Sequence, residues 1–223
     1  MAVRTKTNIE QDVERQLVWD DQVLSDNVDI EVSEDGIVAL EGKVASLSAK
    51  DAAETDAWSV YGVTDVENNL KVEFPTVLKI PTDDDIKKRI SDMLLWNTVI
   101  DSTNIDVMVE TGIVTLGGSV YSFWKKLRAE SLASSVVGVL SVSNKLAVVP
   151  TKDFLDKDIA EDIVDSIDRK LAVNVENVDV MVEDGDVTLS GVVPSFTAWS
   201  AAYDSARYTA GVKNVEDQLK IEY

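Results

Sequence analysis

One hairpin-like pattern occurs three times in this chain, and it constrains the fold more than any other feature. Residues 177–193 read NVDVMVEDGDVTLSGVV. Val178, Val180 and Val182 alternate with polar residues or Met181, an Asp184-Gly185 step follows, and Val187 and Leu189 resume the alternation. Apolar residues at period two around Asp-Gly are a strong local signal for two antiparallel strands joined by a tight turn. Residues 104–120, NIDVMVETGIVTLGGSV, repeat the pattern. So do residues 27–44, NVDIEVSEDGIVALEGKV, with one extra residue in the turn.

Spacing establishes the repeat. The turn glycines Gly36, Gly112 and Gly185 lie 76 and 73 residues apart. The same offsets relate Gly42, Gly118 and Gly191, then Gly62, Gly138 and Gly211, then Leu70, Leu146 and Leu219. Three copies of about 70 residues each follow, near the lower size at which a hydrophobic core holds alone.

Each copy predicts five elements. Ile9, Val13 and Leu17 share one helical face, as do Ile86, Ile90 and Leu94, and Ile159, Ile163 and Ile167. Thr7 with Glu10 resembles a capping box at the first of these helices. Thr82 followed by Asp83, Asp84 and Asp85 places negative charge at the start of the second. After the hairpin comes a second helix with a small-residue face: Ala49, Ala53 and Ala57, then Ala129 and Ala133, then Ala202 and Ala206. The Gly-Val pair that opens at Gly62, Gly138 or Gly211 is expected to stop that helix. A last strand follows at 66–72, 142–148 and 215–221. The predicted class is α+β: three tandem αββαβ sandwich modules, each with two helices on a three-stranded sheet. Their expected bounds are 6–74, 82–149 and 156–223. Short linkers beginning at Pro75 and Pro150 hold them close.

Charge and composition restrict function. The net charge of −20 opposes nucleic acid, whose binding depends on neutralising phosphates. Residues 1–75 carry 6 basic and 17 acidic groups, whereas residues 76–150 carry 8 of each. The middle copy is therefore electrically unlike its neighbours. Histidine and cysteine are absent, which removes the commonest general base and the thiolate nucleophile. No phosphate loop, dinucleotide fingerprint or nucleophile elbow is present. Asp83-Asp84-Asp85 and Glu183-Asp184-Gly185-Asp186 lack calcium-loop spacing and read as a helix start and a hairpin turn. The expectation is no enzyme, no cofactor and no metal. No stretch approaches a membrane span. The start MAVRTKTNIE has no apolar core of a secretory signal, and cysteine is absent; both lead to an expected cytoplasmic location, with the periplasm as the alternative if an export signal has been removed.

The pattern V-x-L-x-G-x-V, then a helix, then G-V-x-x-V-x-N-x-L, resembles the BON domain family. Val38, Leu40, Gly42 and Val44 carry the first part in copy one; Gly62, Val63, Val66, Asn68 and Leu70 carry the second. Copy two matches through Gly118, Gly138, Asn144 and Leu146; copy three departs at Asp217, where the family has Asn. The resemblance implies interaction rather than catalysis. Family members include periplasmic osmotic-stress proteins and outer-membrane lipoproteins that bind anionic phospholipid, the latter through a second-helix surface. It also implies the Trp late in the first helix, here Trp19 and Trp96, with Arg169 in the third copy.

The site expected from the residues is Trp124, Lys125, Lys126 and Arg128, opening the second helix of the neutral copy. Trp124 aligns with Ser48 and Thr197, so it is expected to be exposed beside basic residues and to meet a protein partner or a phospholipid surface. Packing against a neighbouring copy is the simpler alternative. Phe123 aligns with Leu47 and Phe196 and reads as a core contact. Trp19 and Trp96 read as core or inter-copy packing, and Trp199 with Tyr203 as an exposed stripe or a copy-to-copy interface. The functional expectation is a stress-associated binding or scaffold protein acting through three modules. Peripheral phospholipid binding and self-assembly into a homo-oligomer are the alternatives.

Overall fold

The computed structural model describes residues 5–23, 25–75, 80–170 and 177–223; part of the Pro75 linker, residues 76–79, lies outside them. Module 1 comprises α1 (Lys6–Trp19), β1 (Val28–Val32), β2 (Ile37–Val44), α2 (Leu47–Ser59), β3 (Asp65–Asn68) and β4 (Lys71–Val72). Module 2 repeats this as α3 (Asp83–Leu95), β5 (Ile105–Glu110), β6 (Ile113–Val120), α4 (Phe123–Ser134), β7 (Ser141–Asn144) and β8 (Ala147–Val148). Module 3 has α5 (Asp156–Asp168), β9 (Val178–Glu183), β10 (Asp186–Val193), α6 (Phe196–Tyr208) and β11 (Asn214–Ile221).

In every module the hairpin's second strand is central. It pairs antiparallel with the first strand and parallel with the last. A parallel neighbour requires a crossover, and the second helix supplies it. The last strand is split in modules 1 and 2 and continuous in module 3. The helical stripes Ile9/Val13/Leu17, Ile86/Ile90/Leu94 and Ile159/Ile163/Ile167 are all buried, as are the alanine faces. Alanine at those positions carries the helix backbone down onto the sheet.

Local signals differ in detail from expectation. Thr5, not Thr7, caps α1, because the helix begins two residues earlier. Thr82 and Asp85 form a full capping box on α3. The second helices end at Ser59, Ser134 and Tyr208, so Gly62, Gly138 and Gly211 lie in the turn beyond rather than at the helix terminus itself. The hairpins of modules 2 and 3 turn through Thr111-Gly112 and Asp184-Gly185, with φ of 51°, 77°, 52° and 82°. Two positive φ values in succession define the turn that matches strand twist. Gly118 has φ 100°, and a Cβ there would lie 2.0 Å from the Asn104 carbonyl oxygen. Only glycine lets the strand bend at that point.

The modules close on one another through their second helices. Leu47, Phe123 and Phe196 are each the first residue of their helix. Leu47 packs on the core of module 2 and Phe123 joins the core of module 3. Phe196 stacks on Trp58 of module 1, with ring centroids 5.9 Å apart. One sequence position thus makes a head-to-tail contact three times, and the third contact returns to the first module. Tyr61 and Tyr223 meet edge to face at 4.5 Å on that closing seam.

Candidate interaction surfaces

Helical spacing sorts the start of α4 into separate directions. Phe123 and Leu127 lie on one face and Trp124 and Arg128 on the next, four residues apart in each case. Phe123 is 5% exposed, as the alignment implied. Trp124 is half-buried rather than exposed, and its ring faces Tyr208 of module 3 with centroids 6.5 Å apart. The expectation of a free tryptophan fails because the neighbouring module covers part of it. Lys125 occupies a position held by buried Ala49 and Ala198 in the other copies; its ammonium lies 5.9 Å from the Tyr121 ring centre. Lys126 is half-buried, and its carbonyl oxygen accepts from Asn144. Arg128 shares a cleft with Trp124. Leu127, Ser131, Arg207 and Tyr208 complete that cleft.

The family asparagine explains the Lys126 contact. Asn144 Nδ2 donates to the Lys126 carbonyl at 2.9 Å and to Glu130 Oε2 at 3.0 Å. Asn68 does the same to Lys50 and Glu54. In module 3 the residue is Asp217, which has no N–H to give. Trp199, at the position of Lys126, instead donates its Nε1–H to Asp217 at 2.6 Å, and Tyr203 replaces the glutamate. The departure at Asp217 is therefore compensated by two further changes that the alignment contains but does not connect.

Those changes also build the seam between modules 1 and 3. Trp199 stacks on Phe196 and Tyr203, both at 5.3 Å, and lies parallel to Trp58 at 6.4 Å. Trp199 and Tyr203 thus belong to a copy-to-copy interface. Sequence reasoning missed Trp58, which aligns with Ser134 and Arg207 and has no repeat signature. Burial holds the Tyr203 hydroxyl above its ordinary pKa. Burial likewise raises Asp51, helped by the charges of Glu54 and of Glu130 from module 2.

Trp19 and Trp96 sit elsewhere and point outward. Each is 80% exposed, beside Val18 and Leu95 at 65% each. The expectation that they pack is overturned. Leu17 and Leu94 end the buried stripes, and one and two residues further on lie roughly 100° and 200° around the helix. Helical phase was the signal that could have shown this. Arg169, in the corresponding position of module 3, is also exposed.

Acidic residues at two helix starts have protein partners. Asp83 accepts from the backbone N–H groups of Thr111 and Gly112 at 2.7 and 2.9 Å. Asp156 accepts from those of Asp184 and Gly185 at 2.8 and 2.9 Å. Each latches a helix start onto its own hairpin turn. Among the described residues no group of three or more acidic, His or Cys side chains is arranged to hold a metal ion, and no helix is long and apolar enough to cross a membrane.

These features define a protein of three αββαβ modules whose second helices converge and whose first helices face outward. The chain belongs to the BON domain family, whose profile matches residues 5–73, 82–150 and 155–223. It is 33% identical over 144 residues to osmotically-inducible protein Y of Escherichia coli (strain K12), covering 62% of this chain and 72% of that protein. Among solved structures it resembles the C-terminal domain of CdsD, a structural protein of the type III secretion system of Chlamydia trachomatis. That match has 14% identity and a TM-score of 0.27, covering 99% of this chain and 100% of the other. The tandem GerMN domains of the sporulation protein GerM from Bacillus subtilis match at 13% identity and a TM-score of 0.28, covering 100% and 85%. Both overlays are loose. The Escherichia coli relative is a periplasmic protein, which overturns the cytoplasmic expectation. That expectation rested on the residues after Met1 and on missing cysteine, and neither distinguishes a cytoplasmic chain from an exported one after processing.

Proposed function

We propose that this chain is a non-catalytic binding and scaffold protein of the osmotic stress response, acting through its outward first helices. The observation that carries the reading is the pair Trp19 and Trp96, each 80% exposed at the same place on adjacent modules. A tryptophan left in water, beside an equally exposed Val18 or Leu95, is apolar area that a partner can cover. Convergence of the second helices sets the two tips on one framework, so two weak contacts act together. The family and the name of the osmotically inducible relative support the stress assignment. The lack of His and Cys supports a non-catalytic role. The periplasm is the site of action in this reading.

A peripheral phospholipid surface is the second reading, favoured by the position of Trp96 on the module with no net charge. Acidic modules are repelled by anionic headgroups, and this one is not. Self-assembly through inter-module faces is disfavoured, since those faces are already covered within one chain. The hairpin edge strands also carry Asp29, Glu31, Asp106, Glu110, Asp179 and Glu183, charges that discourage edge pairing.

The test is capture from osmotically shocked cells, alongside sedimentation with phosphatidylglycerol vesicles, comparing the full chain with Trp19→Ala/Trp96→Ala. Loss of capture or sedimentation in the variant, at unchanged melting temperature, is expected. Equal binding by both proteins would reject the tips as the contact.

A further inference from the structure

Basic groups gather along α6, at its seam with α4 and where it meets the end of α5, against the charge of the whole chain. Two clefts of about 290 and 300 Å³ adjoin there and share Tyr208 as a wall. Arg128 and Arg207 line the first; Arg169 and Lys170 line the second, with Asp162 and Asp204. Four cations to two carboxylates inverts the chain's 21 to 41. Two of those cations stand where the other modules carry different residues: Arg169 replaces Trp19 and Trp96, and Arg207 replaces Trp58 and Ser134.

The four groups are not equally occupied. Arg207 Nε lies 2.7 Å from Asp204 Oδ1, and its Nη2 donates to the Tyr208 oxygen at 3.1 Å. Its guanidinium also sits over the Tyr208 ring, 4.8 Å from the centroid. Lys170 Nζ donates to the Ala201 carbonyl at 2.7 Å. Arg128 forms no ion pair among the described residues. The first cleft therefore offers an uncompensated guanidinium, a second one already oriented by its neighbours, and an apolar floor of Trp124 and Leu127.

We propose that this seam binds a small amphipathic anion, a carboxylate or phosphate monoester carried on an aromatic or short apolar body. The body rests on Trp124 and Leu127 beside Tyr208, and the anionic head takes paired N–H groups from Arg128 and Arg207. Guanidinium suits that head because its planar donors match carboxylate and phosphate oxygens. A volume near 290 Å³ fits a single-ring compound and sits at the small end of ligand pockets. Both modules contribute residues, so the ligand also ties module 2 to module 3.

The experiment follows the tryptophan indole signals of the full chain by NMR during titration with phenyl phosphate. Benzyl alcohol lacks the charge, inorganic phosphate lacks the body, and phosphatidic-acid vesicles present the same head on a membrane. Phenyl phosphate is expected to move the Trp124 signal, leave Trp19 and Trp96 in place, and bind at least about tenfold more tightly than the two fragments. Arg128→Gln and Arg207→Gln should each weaken it by about tenfold, the loss of one charged hydrogen-bonding group. Arg128→Lys should recover part of that loss. Unmoved Trp58 and Trp199 signals in the variants report an intact fold. No shift of Trp124, an equal shift with benzyl alcohol, or equal affinity in Arg128→Gln would overturn the proposal. So would a response to vesicles alone. Trp19→Ala/Trp96→Ala should bind phenyl phosphate normally, so failure here and failure of the outward tips are separate results.

Discussion

Removing Phe123 tests the closed arrangement of the modules most directly. This side chain starts α4 of module 2 yet is 5% exposed within the core of module 3. Truncating a buried phenylalanine to alanine costs about 3–5 kcal/mol through lost transfer energy and the cavity left behind. A seam between two modules can close partly over the gap, which favours the lower end, about 3 kcal/mol. A module of this size holds only on the order of 4–10 kcal/mol. Phe123→Ala is therefore expected to separate the unfolding of modules 2 and 3 without changing any residue inside module 3. Urea unfolding read by tryptophan fluorescence and by hydrogen exchange, module by module, measures it. The wild type should unfold in one concerted transition, and the variant in two, with module 3 opening first. Leu47→Ala, half-buried at the equivalent position, should cost less, about 1–2 kcal/mol. A single transition in Phe123→Ala, shifted by less than about 1 kcal/mol, would refute the closed arrangement.

Three other perturbations probe single features. Asn144→Asp sets a carboxylate against Glu130 and removes the donor to the Lys126 carbonyl, so it should cost about 2–3 kcal/mol in urea melts at neutral pH. That cost should shrink in acid, where one of the paired carboxylates takes up a proton. Asp56 is buried at the α1–α2 contact, where Gln16 donates to one carboxylate oxygen at 3.1 Å. Burial raises its pKa, so the folded state holds its proton to higher pH than the unfolded state does. Stability from this group is then full in acid and falls as pH rises through the carboxylate range. Asp56→Asn should flatten that fall and raise neutral-pH stability by about 1 kcal/mol, readable as melting temperature against pH. Gly118→Ala drives a Cβ to 2.0 Å from the Asn104 oxygen at a positive φ, and should cost about 3 kcal/mol or more by chemical denaturation.

The module was legible because its signals are local. Alternating valines, a turn glycine and an i, i+4 stripe each reflect a fixed backbone period, so Val38, Leu40 and Ile86 could be assigned to cores from spacing alone. The candidate site was legible only in part. Aligning Trp124 with Ser48 and Thr197 identified a position off its own module's core, but another module covers part of it. Trp19 and Trp96 were legible in principle, through helical phase, yet a large apolar residue near a helix end reads as core until that phase is checked.

By itself the sequence determined three αββαβ units, their cores, the glycines that bend their strands and an uneven distribution of charge. The period of strand and helix is a property of the backbone, and periodicity needs no knowledge of neighbours. The tertiary structure decided which surfaces meet. Phe123 reads as a core contact and Trp58 carries no signal, and packing shows that both join different copies; it also decides for Trp199 between an exposed stripe and a copy-to-copy interface. Asp217, which stands where the other copies have the hallmark asparagine, and the Trp199 that answers it are 18 residues apart in the chain and 2.6 Å apart in space. Contacts between modules depend on how rigid units orient, and no local period encodes that orientation.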